Sequence, residues 1–317
     1  MAVYTDVSFE DLESFLADYR IGVPLTFKGI AEGVENSNFF LRTEAGAFIL
    51  TVYEKRVREA DLPFFLGLME HLSARGIACP LPVRRRDGAL YGALNGRPCA
   101  LLTFLTGVSL RRPQPRHCAA ASAALAAMHE AGRDFPLKRA NALAVEDWRK
   151  LACLLVPRAD SIEPGLGGLI DATLAGLEWP RTLPCGVIHA DLFPDNVLFT
   201  TDAVSGLIDF YFACNDALAY DLAVLLNAWC FDEDGAFDVA RGHGLFAAYR
   251  AHRELSSDEV EALPMLAQGA ALRFLLTRLH DLLHHDPTAL VRPKDPRDFA
   301  RRLRFHRAVK SASEYGL

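Results

Sequence analysis

The segment Cys185-Gly-Val-Ile-His-Ala-Asp-Leu-Phe-Pro-Asp-Asn-Val-Leu-Phe199 carries His189, Asp191 and Asn196 on short apolar runs, and Asp209 follows in Leu207-Ile-Asp-Phe210. Strand-like stretches end at Ile188, cover Val197 to Phe199 and cover Gly206 to Ile208, so the segment reads as a catalytic loop followed by a metal-binding turn. Two carboxylates and one amide at this spacing suit a magnesium-dependent phosphoryl-transfer site. Moving a γ-phosphoryl group depends mainly on placing the acceptor hydroxyl in line and neutralising phosphate charge. Asp191 can accept or orient the acceptor proton, while Asn196 and Asp209 offer the hard oxygens that Mg²⁺ prefers. His189 is expected to fix the loop's shape through backbone hydrogen bonds rather than to meet substrate.

Working outward, the 317 residues exceed the usual size of one core, so two domains are expected. The chain is 51% hydrophobic and 23% charged, with a net charge of −6 and a pI near 5.9. That balance gives no electrostatic footprint for nucleic acid or an anionic membrane. An ATP site must then gather its positive charge locally, from a few side chains and from metal. Seven scattered cysteines with no Cys-x-x-Cys suit reduced, mostly buried thiols in a cytoplasmic protein. No signal peptide is read at the N-terminus, and the longest apolar stretch, 217–231, is broken by Asp221 and Asn227.

Residues 8–19 place Phe9, Leu12, Phe15, Leu16 and Tyr19 on one helical face behind a Ser8 cap. The period then shifts to strand over 25–30, 38–43 and 47–53, followed by a helix over 59–75 with Pro63 in its first turn and Gly76 as its C-cap. Hairpin signals at Asp87-Gly88 and Asn95-Gly96 separate short runs that end in the apolar strand from Cys99 to Leu105. Residues 1–106 thus predict a five-stranded antiparallel sheet with one helix inserted after the third strand. Residues 107–317 read as largely helical, with helices over 115–131, 145–156, 163–177, 216–231, 237–253, 257–285 and 296–313, interrupted by short strands only within 185–210.

A small β-rich lobe, a helical lobe and a catalytic turn describe an α+β, protein-kinase-like bilobal architecture. The chain resembles the aminoglycoside phosphotransferase branch of that superfamily over nearly its whole length. His189-x-Asp191-x-x-x-x-Asn196, the Ile208-Asp209-Phe210 turn and Ala124-Leu-Ala-Ala-Met-His129 carry the resemblance. It implies Asp191 as catalytic base, Asn196 and Asp209 as Mg²⁺ ligands, and Asp221 in Tyr220-Asp-Leu-Ala223 as a helix carboxylate buttressing the loop. Within the branch, the runs Gly206 to Asp216, Tyr220 to Cys230, Phe64 to Leu72 and Ala271 to His280 are similar to the bacterial homoserine kinases. The resemblance implies ATP- and Mg²⁺-dependent phosphorylation of L-homoserine at its terminal oxygen, in an enzyme needing no obligate protein partner.

An amino-acid acceptor needs a cation for its carboxylate. Arg273 on the apolar helix around Leu272 to Leu283 is the first choice, since an unpaired guanidinium is costly to bury. Tyr211, Asn227 and Trp229 are further candidates for lining the acceptor pocket. On the nucleotide side, Gly33, Ser37 and Asn38 lie where a phosphate-covering loop belongs, and Leu101 to Leu105, with Thr103 and Leu105, would read the adenine edge. The strand that should carry a phosphate-gripping lysine has Thr51 at that position. Lys55, Arg56 or Arg58 could reach in instead, with Glu59 or Glu70 as acidic partner. Two other readings stay open: a choline or ethanolamine kinase with an aromatic cage from Trp148, Trp229, Tyr211 and Phe212, and a nucleotide-binding pseudokinase, motivated by Thr51. His280 and His284 share a helical face but find no third metal ligand nearby, Gly165-Leu-Gly-Gly168 follows Pro164 rather than a strand, and no Gly-x-Ser-x-Gly occurs.

Overall fold

The structure is a computed structural model that describes residues 5, 7–30, 36–54, 57–285 and 292–317. The chain divides into two compact units, one ending at Thr106 and the other beginning at Gly107.

The first unit holds five strands, β1 (Pro24–Gly29), β2 (Ser37–Thr43), β3 (Gly46–Val52), β4 (Gly92–Leu94) and β5 (Arg97–Thr103), in the order β1-β2-β3-β5-β4. Every pairing is antiparallel. Along β2, Phe39 and Leu41 alternate with more exposed neighbours and join Phe48, Leu50, Val52, Cys99 and Leu101 in one core. Helix α1 (Phe9–Leu16) covers that core with Leu12, Phe15 and Leu16, and a Ser8/Asp11 capping box fixes its start. Asn95 and Gly96 both have positive φ, the conformation that a two-residue hairpin between β4 and β5 demands. The Asp87-Gly88 signal makes a smaller turn, closed by Arg85 N–H to the Ala89 carbonyl at 2.9 Å, with no strand ladder around it. The inserted helix begins as a 3₁₀ turn at Glu59–Asp61 and becomes α2 over Leu62–Ala74.

The second unit contains α3 (Pro115–Ala131), α4 (Val145–Ala159), α5 (Leu166–Ala175), β6 (Cys185–Ile188), β7 (Val197–Thr200), β8 (Ala203–Leu207), β9 (Cys214–Ala217), α6 (Leu218–Trp229), α7 (Val239–Arg250), α8 (Ser257–Leu283) and α9 (Arg297–Ala308). Two departures from the sequence reading have physical causes. The stretch read as the start of a helix at Asp216 is instead strand β9, because Asn215 and Asp216 pair with Val187 and Gly186 of β6 before the helix begins. Helix α4 also runs on through Pro157. The proline sits in the last turn, and the carbonyl it leaves unbonded belongs to Cys153, at an exposed position.

Helix α6 is buried on nearly all sides, as a helix apolar around its whole circumference must be. Its two buried polar side chains, Asp221 and Asn227, therefore need internal partners. All seven cysteines are free thiols, five of them buried. No helix among the described residues is long and apolar enough to cross a membrane.

Near the C-terminus the chain returns against α7. A Cβ built on Gly242 would overlap the Tyr315 carbonyl oxygen, a backbone atom that cannot swing aside. Gly242→Ala should therefore lower stability by about 2 kcal/mol, read as a shift in urea midpoint at unchanged slope.

Candidate active site

Strand β6 delivers the chain into a loop whose second residue, Ala190, has φ +64°. A left-handed alanine persists only where its surroundings over-determine it. Here the Asp221 carboxylate, in the first turn of α6, accepts the His189 N–H at 2.7 Å with one oxygen and the Ala190 N–H at 2.8 Å with the other. His129, at the end of α3, adds a bond to the same carboxylate at 3.1 Å. The Arg273 guanidinium of α8 bonds the Ala190 carbonyl. Both polar groups of Ala190 are thus held, and the turn is fixed. Burial alone would raise the Asp221 carboxyl, but the bonds from His129 and the loop amides outweigh it and hold this group below the usual carboxylate range.

His189 is fully buried and bridges two segments. Its Nε2 donates to the Ile208 carbonyl at 3.0 Å, leaving Nδ1 to accept the Asp191 N–H at 3.3 Å. The ring thereby ties the loop to the residue just before Asp209, with no part left to face a substrate. Burial pushes its pKa below the ordinary histidine value.

The spacing of Asn196 and Asp209 is explained by a hairpin. Asn196 closes a 3₁₀ turn just before β7, β7 pairs antiparallel with β8 from Val197 opposite Leu207, and the Ile208 N–H returns to the Asn196 carbonyl at 3.0 Å. The hairpin brings its two flanks together. Asp209 then takes a left-handed conformation, φ 65° and ψ 60°. Asn196 Nδ2 donates to the Asp191 carbonyl at 2.7 Å and to its carboxylate at 3.2 Å. That choice orients the amide so that its Oδ1 bears no hydrogen bond among the described residues.

Loss of solvent in the loop pushes the Asp191 carboxyl up to about 8; the charge of Arg273 opposes this, and the Asp209 and Asp195 carboxylates reinforce it. Two carboxylates and an amide oxygen gathered here are a donor set that would suit a hard divalent cation. Among the described residues no cluster of three His, Cys, Asp or Glu exists, so such an ion would take only part of its shell from the protein.

The acceptor-side candidates separate. Arg273 is 2% exposed, lies over the Phe212 and Phe274 rings at 5.3 and 4.4 Å, and keeps an Nε–H with no partner among the described residues. Tyr211 is half-buried two residues past Asp209. Asn227 and Trp229 lie in the core. Asn227 bonds the Ala223 and Ala267 carbonyls and His306, tying α6 to α8 and α9, while Trp229 Nε1 donates to the Leu192 carbonyl at 2.8 Å and supports the catalytic loop from below. Both face protein rather than a pocket, because each polar atom already has an internal partner. Trp148 is likewise buried, its Nε1 on the Leu143 carbonyl, in a cluster with Trp179 and Tyr220, so the four aromatics considered for a cage are not one group. Arg278 pairs with Asp298 at 3.5 Å. The His280 and His284 rings lie 4.4 Å apart, without a metal cluster among the described residues.

In the first unit, Gly33 and Lys55 lie outside the described residues. Ser37 donates to the Glu54 carboxylate at 2.8 Å, and Thr51, at the position expected for lysine, donates across the sheet to Asn38 Oδ1 at 2.9 Å. A buried hydroxyl with a local acceptor needs no charge partner there, and Glu70 is accordingly paired elsewhere, with Arg84 at 2.7 Å. Thr103 Oγ1 accepts the Leu81 N–H at 2.9 Å, and Leu105 lies just beyond the β3–β5 ladder. Sequence reasoning missed Tyr249, which holds His129 Nδ1 at 2.7 Å. The two are 120 residues apart, and no local pattern announces the contact.

Comparison with known proteins agrees with this geometry. The model of the phosphotransferase enzyme family matches residues 26–255, and the chain belongs to that family. Proteins named homoserine kinase are similar along its full length: 59% identity with that of Parvibaculum lavamentivorans, covering 100% of this chain and 99% of the relative, and 62% with that of Methylobacterium radiotolerans. The relative from Mesorhizobium japonicum is 58% identical, covering 100% of both chains. Among solved structures, an amicoumacin kinase in complex with AMP-PNP and Ca²⁺ aligns with TM-score 0.70 at 16% identity over 95% of this chain and 92% of its own. A spectinomycin phosphotransferase aligns with TM-score 0.69 at 14% identity over 98% of each. These two similarities establish the fold.

His306, between Asn227 and the Tyr315 hydroxyl, is pushed down to about 3 by burial and by the Arg302 charge. A histidine with a depressed folded pKa contributes stability above its unfolded value of 6.5, and loses it as pH falls toward 3. His306→Gln should therefore flatten the acid side of the stability profile, by up to about 1.4 kcal/mol per pH unit between those values. Urea unfolding at several pH values in that window measures it.

Proposed function

We infer that this chain is an ATP-dependent kinase that phosphorylates the terminal hydroxyl of L-homoserine, giving O-phospho-L-homoserine and ADP. The observation that carries the reading is the constellation of Asp191, Asn196 and Asp209, assembled by one loop and one hairpin in a chain about 60% identical over its whole length to proteins named homoserine kinase. In this mechanism Asp191 accepts the proton of the acceptor hydroxyl as that oxygen attacks the γ-phosphorus. The bond from the γ-phosphorus to the bridging oxygen breaks, and ADP leaves with the electron pair. Asn196 Oδ1 and the Asp209 carboxylate would hold Mg²⁺, which supplies charge neutralisation to the phosphates. Asn196 also steadies the base through its bond to the Asp191 carboxylate. His189 and Asp221 act on the loop and not on the reactants.

Arg273 supports an amino-acid acceptor. It is a buried cation with no carboxylate ion pair among the described residues, it adjoins Asp191, and its Nε–H is unengaged. Its bond to Ala190 means that removing it should disturb the base as well as any bound carboxylate. Tyr211 is the remaining candidate for the acceptor side. On the nucleotide side the reading uses Ser37, Asn38, Thr103 and Leu105, with Gly33 and Lys55 as further contacts. Choline and ethanolamine fit less well, since the tryptophans required for a cage are core residues.

Purified protein given ATP, Mg²⁺ and a panel of homoserine, choline, ethanolamine, methylthioribose and kanamycin should turn over homoserine. Turnover of choline without homoserine would overturn the acceptor assignment, and silence with every acceptor would favour a pseudokinase. Asp191→Asn should keep ATP binding while kcat falls by about a hundredfold or more. Turnover near that of the wild type would show that another group takes the proton.

A further inference from the structure

Behind Asp221 a chain of buried side chains runs to the start of α8. His129 Nδ1 lies 2.7 Å from the Tyr249 hydroxyl, Arg253 Nη1 lies 3.3 Å from that same oxygen, and Arg253 Nη2 lies 2.7 Å from Glu259 Oε1. Glu259 belongs to the α8 capping box: its other oxygen accepts the Ser256 N–H at 3.0 Å, and its own N–H goes to Ser256 Oγ at 3.2 Å. His129, Asp221, Tyr249 and Glu259 are each no more than 1% exposed.

The Asp221 carboxylate can only accept, so His129 Nε2 carries a proton towards it; arginine has only N–H donors, so the Tyr249 oxygen accepts from Arg253, and with a neutral His129 ring Nδ1 is left to accept the Tyr249 proton. The His129 proton then resides on Nε2 and is donated to Asp221, which in turn receives the His189 and Ala190 amides. Further along the same helix, Arg273 bonds the Ala190 carbonyl. Helix α8 therefore grips the peptide groups on both sides of Ala190, through its first turn by the relay and directly from Arg273.

We propose that Tyr249, backed by Arg253 and Glu259, is a positioning residue for Asp191, and that the relay couples the α8 N-terminus to the geometry of the catalytic loop. The functional half of this statement rests on the reading of Asp191 as the base.

Tyr249→Phe removes one hydroxyl and keeps the ring. Its kcat for homoserine phosphorylation should fall by about tenfold with both KM values changed less than about twofold, the signature of a misplaced base rather than a lost binding contact. Ser122→Ala is the control, since it deletes another buried bond between α3 and α7, from Ser122 Oγ to the Leu245 carbonyl at 2.8 Å, that is not part of the relay. It should lower stability without lowering kcat. Arg253→Lys should retain more of kcat than Arg253→Met. Two readouts need no substrate. Amide exchange at His189 and Ala190 should quicken about tenfold in Tyr249→Phe while the β7–β8 ladder is unchanged, and nitrogen NMR should find the His129 proton on Nε2. A Tyr249→Phe enzyme with the kcat of Ser122→Ala, unchanged exchange at the two loop amides, or a His129 proton on Nδ1 would each overturn the relay. Wild-type protein that leaves homoserine untouched would instead refute the assigned activity, and the exchange and NMR results would still judge the relay.

Discussion

The catalytic loop depends on one buried carboxylate. Asp221 takes the His189 and Ala190 amides on separate oxygens, and this permits a non-glycine residue to stay left-handed immediately before the proposed base. A neutral amide could not do the same work, since one of its two ends would present N–H to N–H. A buried charge of this kind is tolerated only when it is fully hydrogen-bonded, and three donors converge on Asp221 from α3 and the loop. The apolar surround of α6 makes the arrangement stringent, because Asp221 is fully buried from bulk solvent.

Charge in the loop is unbalanced on the side that faces the chemistry. Asp191 has Arg273 as a neighbouring cation, yet burial together with Asp209 and Asp195 still carries its carboxyl far above the usual range. Asp195 has its own partner in Lys294 at 2.8 Å. Asp191 and Asp209 flank the β7–β8 hairpin, and the Asn196 amide is turned with its nitrogen towards Asp191.

Much of this was legible in the chain because its causes are local. Asn95-Gly96 demands a tight hairpin wherever it occurs between strands, and Ser8 with Asp11 caps a helix by its own side chains. The strand-loop-strand pattern from Cys185 to Phe210 marks the loop and the β7–β8 hairpin by spacing alone. Errors arose where a distant partner overrode local preference. Asp216 and Ala217 of β9 read as helix until β6 offers them a ladder, and Pro157 reads as a stop although it costs little in a last turn. Asn227 and Trp229 look like pocket residues on a helix near the metal turn. In three dimensions their polar atoms are spent on Ala267, His306 and Leu192.

The sequence by itself determined most element types, the loop motif from His189 to Asn196 and the presence of Thr51 on a strand where a lysine is expected, since each follows from periodicity, turn chemistry or residue identity at short range. Only the tertiary structure decided what Thr51 does, bonded to Asn38 across the sheet, and which groups hold the loop. His129 on α3, Tyr249 on α7 and Arg273 on α8 come from helices far apart from the loop or from one another in the chain, and the hydrogen bonds they make leave no periodic trace. The physical reason is range. Backbone preference acts over a few residues, whereas satisfying a buried charge recruits whichever donors the packing brings within about 3 Å.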